Sequence, residues 1–299
     1  MCSSIGFPLP DIETHDAMKI CRTIEAMRAA SRSQRSVGKC LGLVPTMGAL
    51  HEGHLSLIRS AKAQCDLVAV SLFVNPLQFG PGEDLAKYPR DFDRDRALLE
   101  KEGVDFLFAP SVDEMYPAGA VTYVTADGLS EKLCGRSRPG HFRGVTTVVS
   151  KLFNIVEPDL AFFGQKDAAQ VAIIRRMVRD LNIPVRVVTC PILREADGLA
   201  MSSRNAYLDP HQRKSAPVLH RSLMEIQKRF DQGERKADKL IAAGKRTLSE
   251  GPEVRLDYLE IVDPDTLDPV EEVSRRALVA VAAFFGKTRL IDNVVLGPS

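Results

Sequence analysis

Two histidines, His51 and His54, stand three residues apart with Gly53 between them, just after the apolar stretch 41–44 and the string Pro45-Thr46-Met47-Gly48. Three-residue spacing puts both imidazoles on one face of a first helical turn. There, unpaired backbone N–H groups and the positive end of the helix dipole favour an anion, phosphate above all. Gly53 costs about 1 kcal/mol against Ala inside a helix, and reads as room for a ligand to approach the backbone. Four other patches carry donors. Asn75 and Gln78 are neutral amides just past an apolar run, suited to the hydroxyls of a small polar substrate. Gly164-Gln165-Lys166-Asp167, with Gln170 beyond it, sets an ammonium at a strand-to-helix turn, where Asp167 can also cap the helix. Met201-Ser202-Ser203-Arg204-Asn205 supplies two hydroxyls and a permanently charged fork. The stretch Arg138-Pro139-Gly140-His141-Phe142-Arg143-Gly144 is a basic loop able to close over an anion. Each patch alone is explained equally well by caps, turns and solvated charge. Together they describe a site for a triphosphate. There is no G-x-x-x-x-G-K-[ST] string and no G-x-G-x-x-G after the first strand, and neither histidine has a Cys or carboxylate companion at zinc-ligand spacing.

The elements that must position these groups follow from periodicity. Residues 41–44 read as a buried strand closed by Pro45, with Gly48 in a tight turn and a helix after it carrying Leu50, Leu57 and Ile58 inward. Residues 17–30 show helical spacing, and 67–74 is an apolar, β-branched run of parallel-strand length that ends at Asn75. A charged helix over 91–102, a strand over 104–109, a mobile loop over 127–144 and a helix over 145–156 come next. A strand over 159–163, a helix over 168–181 and a strand over 185–190 complete the alternation. This spacing predicts an α/β fold, a Rossmann-like parallel sheet wound on both faces, whose ligands lie at the carboxyl ends of the strands. After residue 194 the texture changes to polar helices over 212–232 and 237–249 and strand-like runs over 255–262, 277–283 and 288–291. That predicts a smaller α+β domain, with the chain divided into 1–192 and 193–299. Residues 1–11 read as a loose extension.

Bulk properties narrow the class. Forty basic and thirty-nine acidic side chains give a net charge of +1, so no general attraction to nucleic acid or an anionic membrane is expected. The six cysteines are scattered with no C-x-x-C pair, no apolar run could span a bilayer, and no secretory signal opens the chain; a reducing cytoplasm fits.

The residues carry a resemblance. H-x-G-H after a strand marks the nucleotidyltransferase-like branch of α/β folds, related to class I aminoacyl-tRNA synthetases. The ordered set is far more specific. It comprises Val44-Pro45-Thr46-Met47-Gly48 with the His51–His54 motif, Phe73-Val74-Asn75-Pro76 with Gln78-Phe79, and Tyr88-Pro89-Arg90. It continues with the stretch from Arg138 to Gly144, Gly164 with Lys166-Asp167, Met201-Ser202-Ser203-Arg204-Asn205, and Arg289-Leu290-Ile291-Asp292-Asn293. Over nearly its full length the chain resembles the pantothenate synthetase (pantoate–β-alanine ligase) family. Gln165 stands where that family often has Glu. The resemblance implies ATP-dependent ligation of pantoate and β-alanine through a pantoyl adenylate, with release of pyrophosphate and AMP. It implies catalytic roles for His54, His51 and Lys166 and an ATP site formed by Met47, Gly48, Ala49, Leu50, His51, Glu52, Gly53, His54, Gly164, Gln165, Lys166, Asp167, Leu193, Met201, Ser202, Ser203 and Arg204. It places pantoate at Gln78, Gln170 and Asn75, Mg²⁺ at Asp93 and Asp95, and the chain in a cytoplasmic homodimer. The rivals are another H-x-G-H enzyme that passes AMP or CMP to a phosphate, and a non-catalytic nucleotide-binding regulator. Gln78 and Gln170 speak against the first, because a phosphate acceptor would meet Arg or Lys.

Overall fold

The computed structural model describes residues 12–15 and 18–297; residues 1–11, expected as an extension, lie outside the described residues. Seven strands, β1 (Ile12–His15), β2 (Met18–Cys21), β3 (Leu41–Thr46), β4 (Leu67–Leu72), β5 (Phe106–Phe108), β6 (Leu160–Gly164) and β7 (Arg186–Cys190), form one sheet in the order β1-β2-β5-β4-β3-β6-β7. Only β1 runs antiparallel to its neighbour. From β3 the chain steps one way through β4 and β5, then crosses back to β6 and β7 on the other side. β3 and β6 therefore flank the point where strand order reverses, and their carboxyl ends open a crevice there.

The helices are α1 (Ile24–Arg35), α2 (Glu52–Lys62), α3 (Phe92–Lys101), α4 (Val112–Met115), α5 (Cys134–Ser137), α6 (His141–Val156), α7 (Ala168–Asp180), α8 (Pro210–Ser215), α9 (Val218–Asp231) and α10 (Ala237–Leu248). Period-two alternation shows why the sheet is covered on both sides. Leu41, Leu43, Leu67, Ala69, Ala161 and Phe163 pack in one core with α1, α6 and α7. Val44, Val68, Val70, Leu160 and Phe162, one residue out of phase, pack in another with α2 and α3. Burying each large apolar side chain contributes about 1.5–3 kcal/mol, so these strands hold still the loops that leave them.

A second sheet has the order β10-β9-β8, from β8 (Val254–Val262), β9 (Ala277–Phe285) and β10 (Thr288–Leu296), all antiparallel. Ala277, Val279, Val281, Ala283 and Phe285 of β9 pack with α9 and α10, while Leu278, Ala280 and Ala282 join the core of α6 and α7. The small sheet is thus sandwiched between its own helices and the larger layer.

Three local expectations change. Residues 18–21 are a strand, not the start of a helix: Met18, Ile20 and Cys21 are buried against β5, and the side chain of Thr23 caps α1 by accepting the Ala26 N–H. The single helix expected over 212–232 is two, because Pro217 cannot continue α8 and α9 starts after it. The loop expected over 127–144 is ordered into α5 and the first turn of α6.

That turn of α6 lies directly on the Asn75–Gln78 loop, where a Cβ on Gly144 would overlap the Leu77 carbonyl and the Gln78 nitrogen. Both are backbone, so no side-chain rotation relieves the clash. Gly144→Ala is expected to destabilise the fold by about 1–3 kcal/mol or more and to weaken ligand binding at Gln78; a urea transition coincident with wild type would refute the close packing.

Candidate active site

At the carboxyl end of β3 the backbone turns into the crevice. Gly48 sits at φ 83° and Ala49, which is not glycine, at φ 51°. The left-handed alanine is held by Asp95 of α3, whose two carboxylate oxygens accept the Ala49 N–H at 2.7 Å and the Leu50 N–H at 2.9 Å. Asp95 is buried, and burial raises its pKa against the lowering effect of those two backbone bonds. Arg94 closes the arrangement by donating to the Leu50 carbonyl at 3.0 Å.

The turn delivers His51 to the N-cap of α2 and His54 to its first turn, with ring centroids 4.1 Å apart. The caps are reciprocal: Gly53 N–H donates to His51 Nδ1 at 3.1 Å, and His51 N–H donates to His54 Nδ1 at 3.4 Å. An Nδ1 that accepts a backbone proton leaves the ring proton on Nε2. Both rings are therefore neutral Nε2–H donors. Burial, then Lys166, pulls His51 down to about 4; burial, then His51, then Lys166, pulls His54 to about 3. Gly53 has a second reason beside the one expected. A Cβ there would lie 2.8 Å from His51 Cε1, so glycine makes room for the neighbouring imidazole.

The loop after β4 forms the second wall. Asn75 reaches the cavity, but its amide is fully engaged: Oδ1 accepts from Leu77 N–H and from Tyr116 Oη–H at 2.9 Å, while Nδ2 donates to the Gly144 carbonyl and to Gln78 Oε1. Asn75 therefore orients Gln78 rather than meeting a ligand. Its donation to Oε1 leaves Gln78 Nε2 as the donor side, one hydrogen of which goes to Met47 Sδ at 2.8 Å. The Gln78 carbonyl accepts from His141 Nδ1–H at 2.8 Å, and Arg138 Nη1 donates to His141 Nε2 at 3.0 Å. Burial, with Arg138 as the next cause, pulls His141 down to about 4.

From the carboxyl end of β6 come Lys166, Asp167 and Gln170, with Lys166 Nζ 3.5 Å from the Asp167 carboxylate. The segment after β7 adds Leu193, Met201, Ser202, Ser203 and Arg204. His51, His54, Gln78, Lys166 and Gln170 all line one cavity of about 230 Å³, which a cleft of about 750 Å³ continues toward the small sheet through Lys166, Gln170 and Arg204. Two of the arginines are already paired. Arg204 forms a fork with Asp84 at 3.0 and 3.1 Å, and Arg138 with Glu83 at 2.7 Å through both nitrogens.

Of the expected nucleotide residues, Met47, Gly53 and Gly164 also line the cavity, whereas Gly48, Ala49, Leu50, Glu52 and Gln165 do not. Leu50 is buried in the core, Glu52 points out to Arg59, and Gln165 Nε2 donates to Asn293 Oδ1. Tyr88 lines the cavity without having been assigned a role from sequence, and Arg138 and His141, expected only as part of a basic loop closing over an anion, line it as well. The three-residue spacing of Arg138 and His141, the same as in the histidine pair, was the available signal. Asp93 and Asp95 do not fit a magnesium site. They are two apart on α3 and so face apart: the Asp93 side chain is 86% exposed beside Arg96, while Asp95 is spent on the 49–50 backbone. Among the described residues no group of three His, Cys, Asp or Glu side chains could hold a metal.

The family model described as pantoate-beta-alanine ligase matches residues 19–295. The chain belongs to this family. A pantothenate synthetase from Koribacter versatilis is 63% identical over 93% of the chain and 96% of its own length. Among solved structures, the pantothenate synthetase of Thermus thermophilus superposes with a TM-score of 0.89 at 49% identity, covering 94% of this chain and 100% of that one. The pantoate-beta-alanine ligase of Francisella tularensis, solved in complex with beta-gamma ATP and beta-alanine, has a TM-score of 0.76 at 34% identity over 95% of this chain and 100% of its own. The family is a ligase, so the chain is an enzyme, and the nucleotidyltransferase-like fold expected from the sequence is the family's. The two rival readings fall with this membership. No described helix is long and apolar enough to cross a membrane.

Two outcomes follow from the geometry. His51, His54 and His141 have folded-state pKa values of about 3 to 4, below the 6.5 of a free histidine. The unfolded chain then binds more protons in that window, so stability is complete above pH 6.5 and is lost as pH falls toward 4. Denaturant titrations between pH 7 and 5 should show this slope, reduced by up to one proton in His141→Gln; an identical slope would refute the burial of a neutral ring. Asp95→Ala should destabilise by about 2–3 kcal/mol, the cost of orphaning a buried polar group, and depress turnover without changing the magnesium concentration that gives half-maximal rate. A shifted magnesium requirement would restore Asp95 as a metal ligand.

Proposed function

We propose that the chain joins pantoate to β-alanine at the expense of ATP in two steps. In the first, a pantoate carboxylate oxygen attacks the α-phosphorus of ATP, the bond from that phosphorus to the bridging oxygen breaks, and pyrophosphate leaves. In the second, the β-alanine nitrogen attacks the acyl carbon, the bond to the adenylate oxygen breaks, AMP leaves and the amine gives up a proton. The observation that carries this reading is the meeting of His51, His54 and Lys166 with Gln78 and Gln170 in one cavity at the strand-order reversal. The Francisella relative, complexed with a nucleotide and beta-alanine, supports ATP and β-alanine as ligands.

The roles follow from donor chemistry. Charge builds on phosphoryl oxygens and on the leaving pyrophosphate, so fixed donors aimed there lower the barrier. Lys166 supplies a cation, and the Nε2–H groups of His51 and His54 supply neutral donors, hydrogen bonding without proton transfer. Ser202, Ser203 and Arg204 extend the same anion-binding wall. Gln78 Nε2–H₂ and Gln170 grip pantoate oxygens. In this reading residues 1–192 carry the two sites and 193–299 cover them, contributing Met201 to Arg204 and excluding water from the adenylate. Magnesium would enter with the triphosphate; Asp93 and Asp95 do not fit it. A cytoplasmic setting fits the scattered cysteines, and a homodimer follows from the family alone.

Pantoate-dependent exchange of labelled pyrophosphate into ATP, without β-alanine, tests the adenylate; absence of exchange beside normal pantothenate formation would sink it. His54→Ala and Lys166→Ala should each lower turnover by about 10²-fold or more, and wild-type rates in both would remove them from the mechanism. Gln78→Ala should raise the pantoate KM while leaving that for ATP in place.

A further inference from the structure

The string Arg289-Leu290-Ile291-Asp292-Asn293 lies on β10, in the small sheet, and the two-step reaction leaves it without a task. Asp292 and Asn293 are nevertheless only 3% exposed. A buried polar side chain is costly unless its hydrogen bonds are made, and both side chains spend theirs on the site's own walls. Asn293 Nδ2 donates to the Gln165 carbonyl at 2.9 Å and to the Lys166 carbonyl at 3.0 Å, while its Oδ1 accepts from Gln165 Nε2 at 2.9 Å. Asp292 receives both terminal nitrogens of Arg194, at 2.6 and 3.0 Å, and Arg194 also donates to the Gly198 carbonyl just ahead of Met201.

We propose that Asn293 is a positioning residue for Lys166, fixing the direction of the lysine from the far sheet. The carbonyls of Gln165 and Lys166 belong to the two peptide planes on either side of the Lys166 Cα. One amide that holds both planes sets φ and ψ of Lys166, and with them the Cα–Cβ bond along which the ammonium enters the cavity. The task requires two N–H donors on one side chain and an acceptor to receive Gln165. Asparagine provides these; aspartate would turn an anion toward two carbonyls. Asp292 anchors the other wall from the adjacent residue, so the small sheet registers the lysine turn and the 193–204 segment against each other.

The inference rests on Lys166 facing the nucleotide phosphates and is tested by a double-mutant cycle. Turnover, the KM for each substrate, the ATP Kd by calorimetry and the melting temperature are measured for wild type, Asn293→Ala, Lys166→Ala and the double variant. Asn293→Ala should lower kcat about 10-fold or more, the scale of a misplaced catalytic group, with the pantoate KM unchanged. In the Lys166→Ala background the same substitution should add nothing further to kcat or ATP Kd. Asn293→Ser, which keeps one donor, should recover part of the loss, and it replaces the alanine in the cycle should that variant not fold. Additive effects, or wild-type kcat in folded Asn293→Ala, would overturn the assignment while the wild-type reaction stands. A wild type that neither binds ATP nor releases pyrophosphate with pantoate overturns the functional reading and this assignment together.

Discussion

Two neighbouring backbone N–H groups, those of Ala49 and Leu50, end on the one buried carboxylate of Asp95, and the geometry of the crevice depends on that contact. A left-handed residue other than glycine costs about 1–2 kcal/mol. Hydrogen bonds to a charged group contribute about 1.5–3 kcal/mol each, so two of them outweigh the strain at Ala49. Without the carboxylate the chain would leave β3 along a different path, and α2 would not begin with its N-terminus at the strand-order reversal. The histidine pair, the reciprocal caps and the clash that reserves position 53 for glycine all follow from where that helix starts.

Electrostatics give the site a second property. Lys166, Arg138 and Arg204 face one small cavity and would repel one another if left unbalanced. Glu83 and Asp84 neutralise the two arginines, while both imidazoles of the 51–54 pair remain uncharged. The cavity is consequently not a concentrated positive field. An anion gains the arginines only by exchanging with carboxylates on the 82–87 segment and must share Lys166 with Asp167, whereas the Nε2–H donors need no such exchange. The polar groups that orient Gln78 obey a related economy: each hydrogen of Asn75 has a fixed backbone or amide acceptor, so Gln78 has one orientation.

Much of this was legible in the residues. The apolar runs of 41–44 and 67–74, the proline and glycine after them, and the spacing of His51 and His54 were enough to expect a parallel sheet with an anion site at the carboxyl end of β3. What escaped was what depends on distant packing. Met18 to Cys21 fits helical and strand patterns alike, and only the partner β5 decides between them. Residues 127–144 have a weak pattern, yet they fold because Cys134 and Leu133 find the main core and Gly144 lets α6 lie on the Gln78 loop. Asp95, in a charged helix, looked like a metal ligand because nothing local indicates that two amides from forty-odd residues earlier point at it. Asn75 looked like a substrate contact for the same reason.

β9 divides its side chains between two apolar cores, alternate residues going to α9 and α10 or to α6 and α7. Since β9 spans Ala277–Phe285, the ribosome makes it after every helix it covers. Until then the nascent chain carries an uncovered greasy surface on the larger layer, the kind that invites wrong association or chaperone capture. The larger layer is therefore completed by a strand it does not contain, and translation must pass residue 285 before either layer can close.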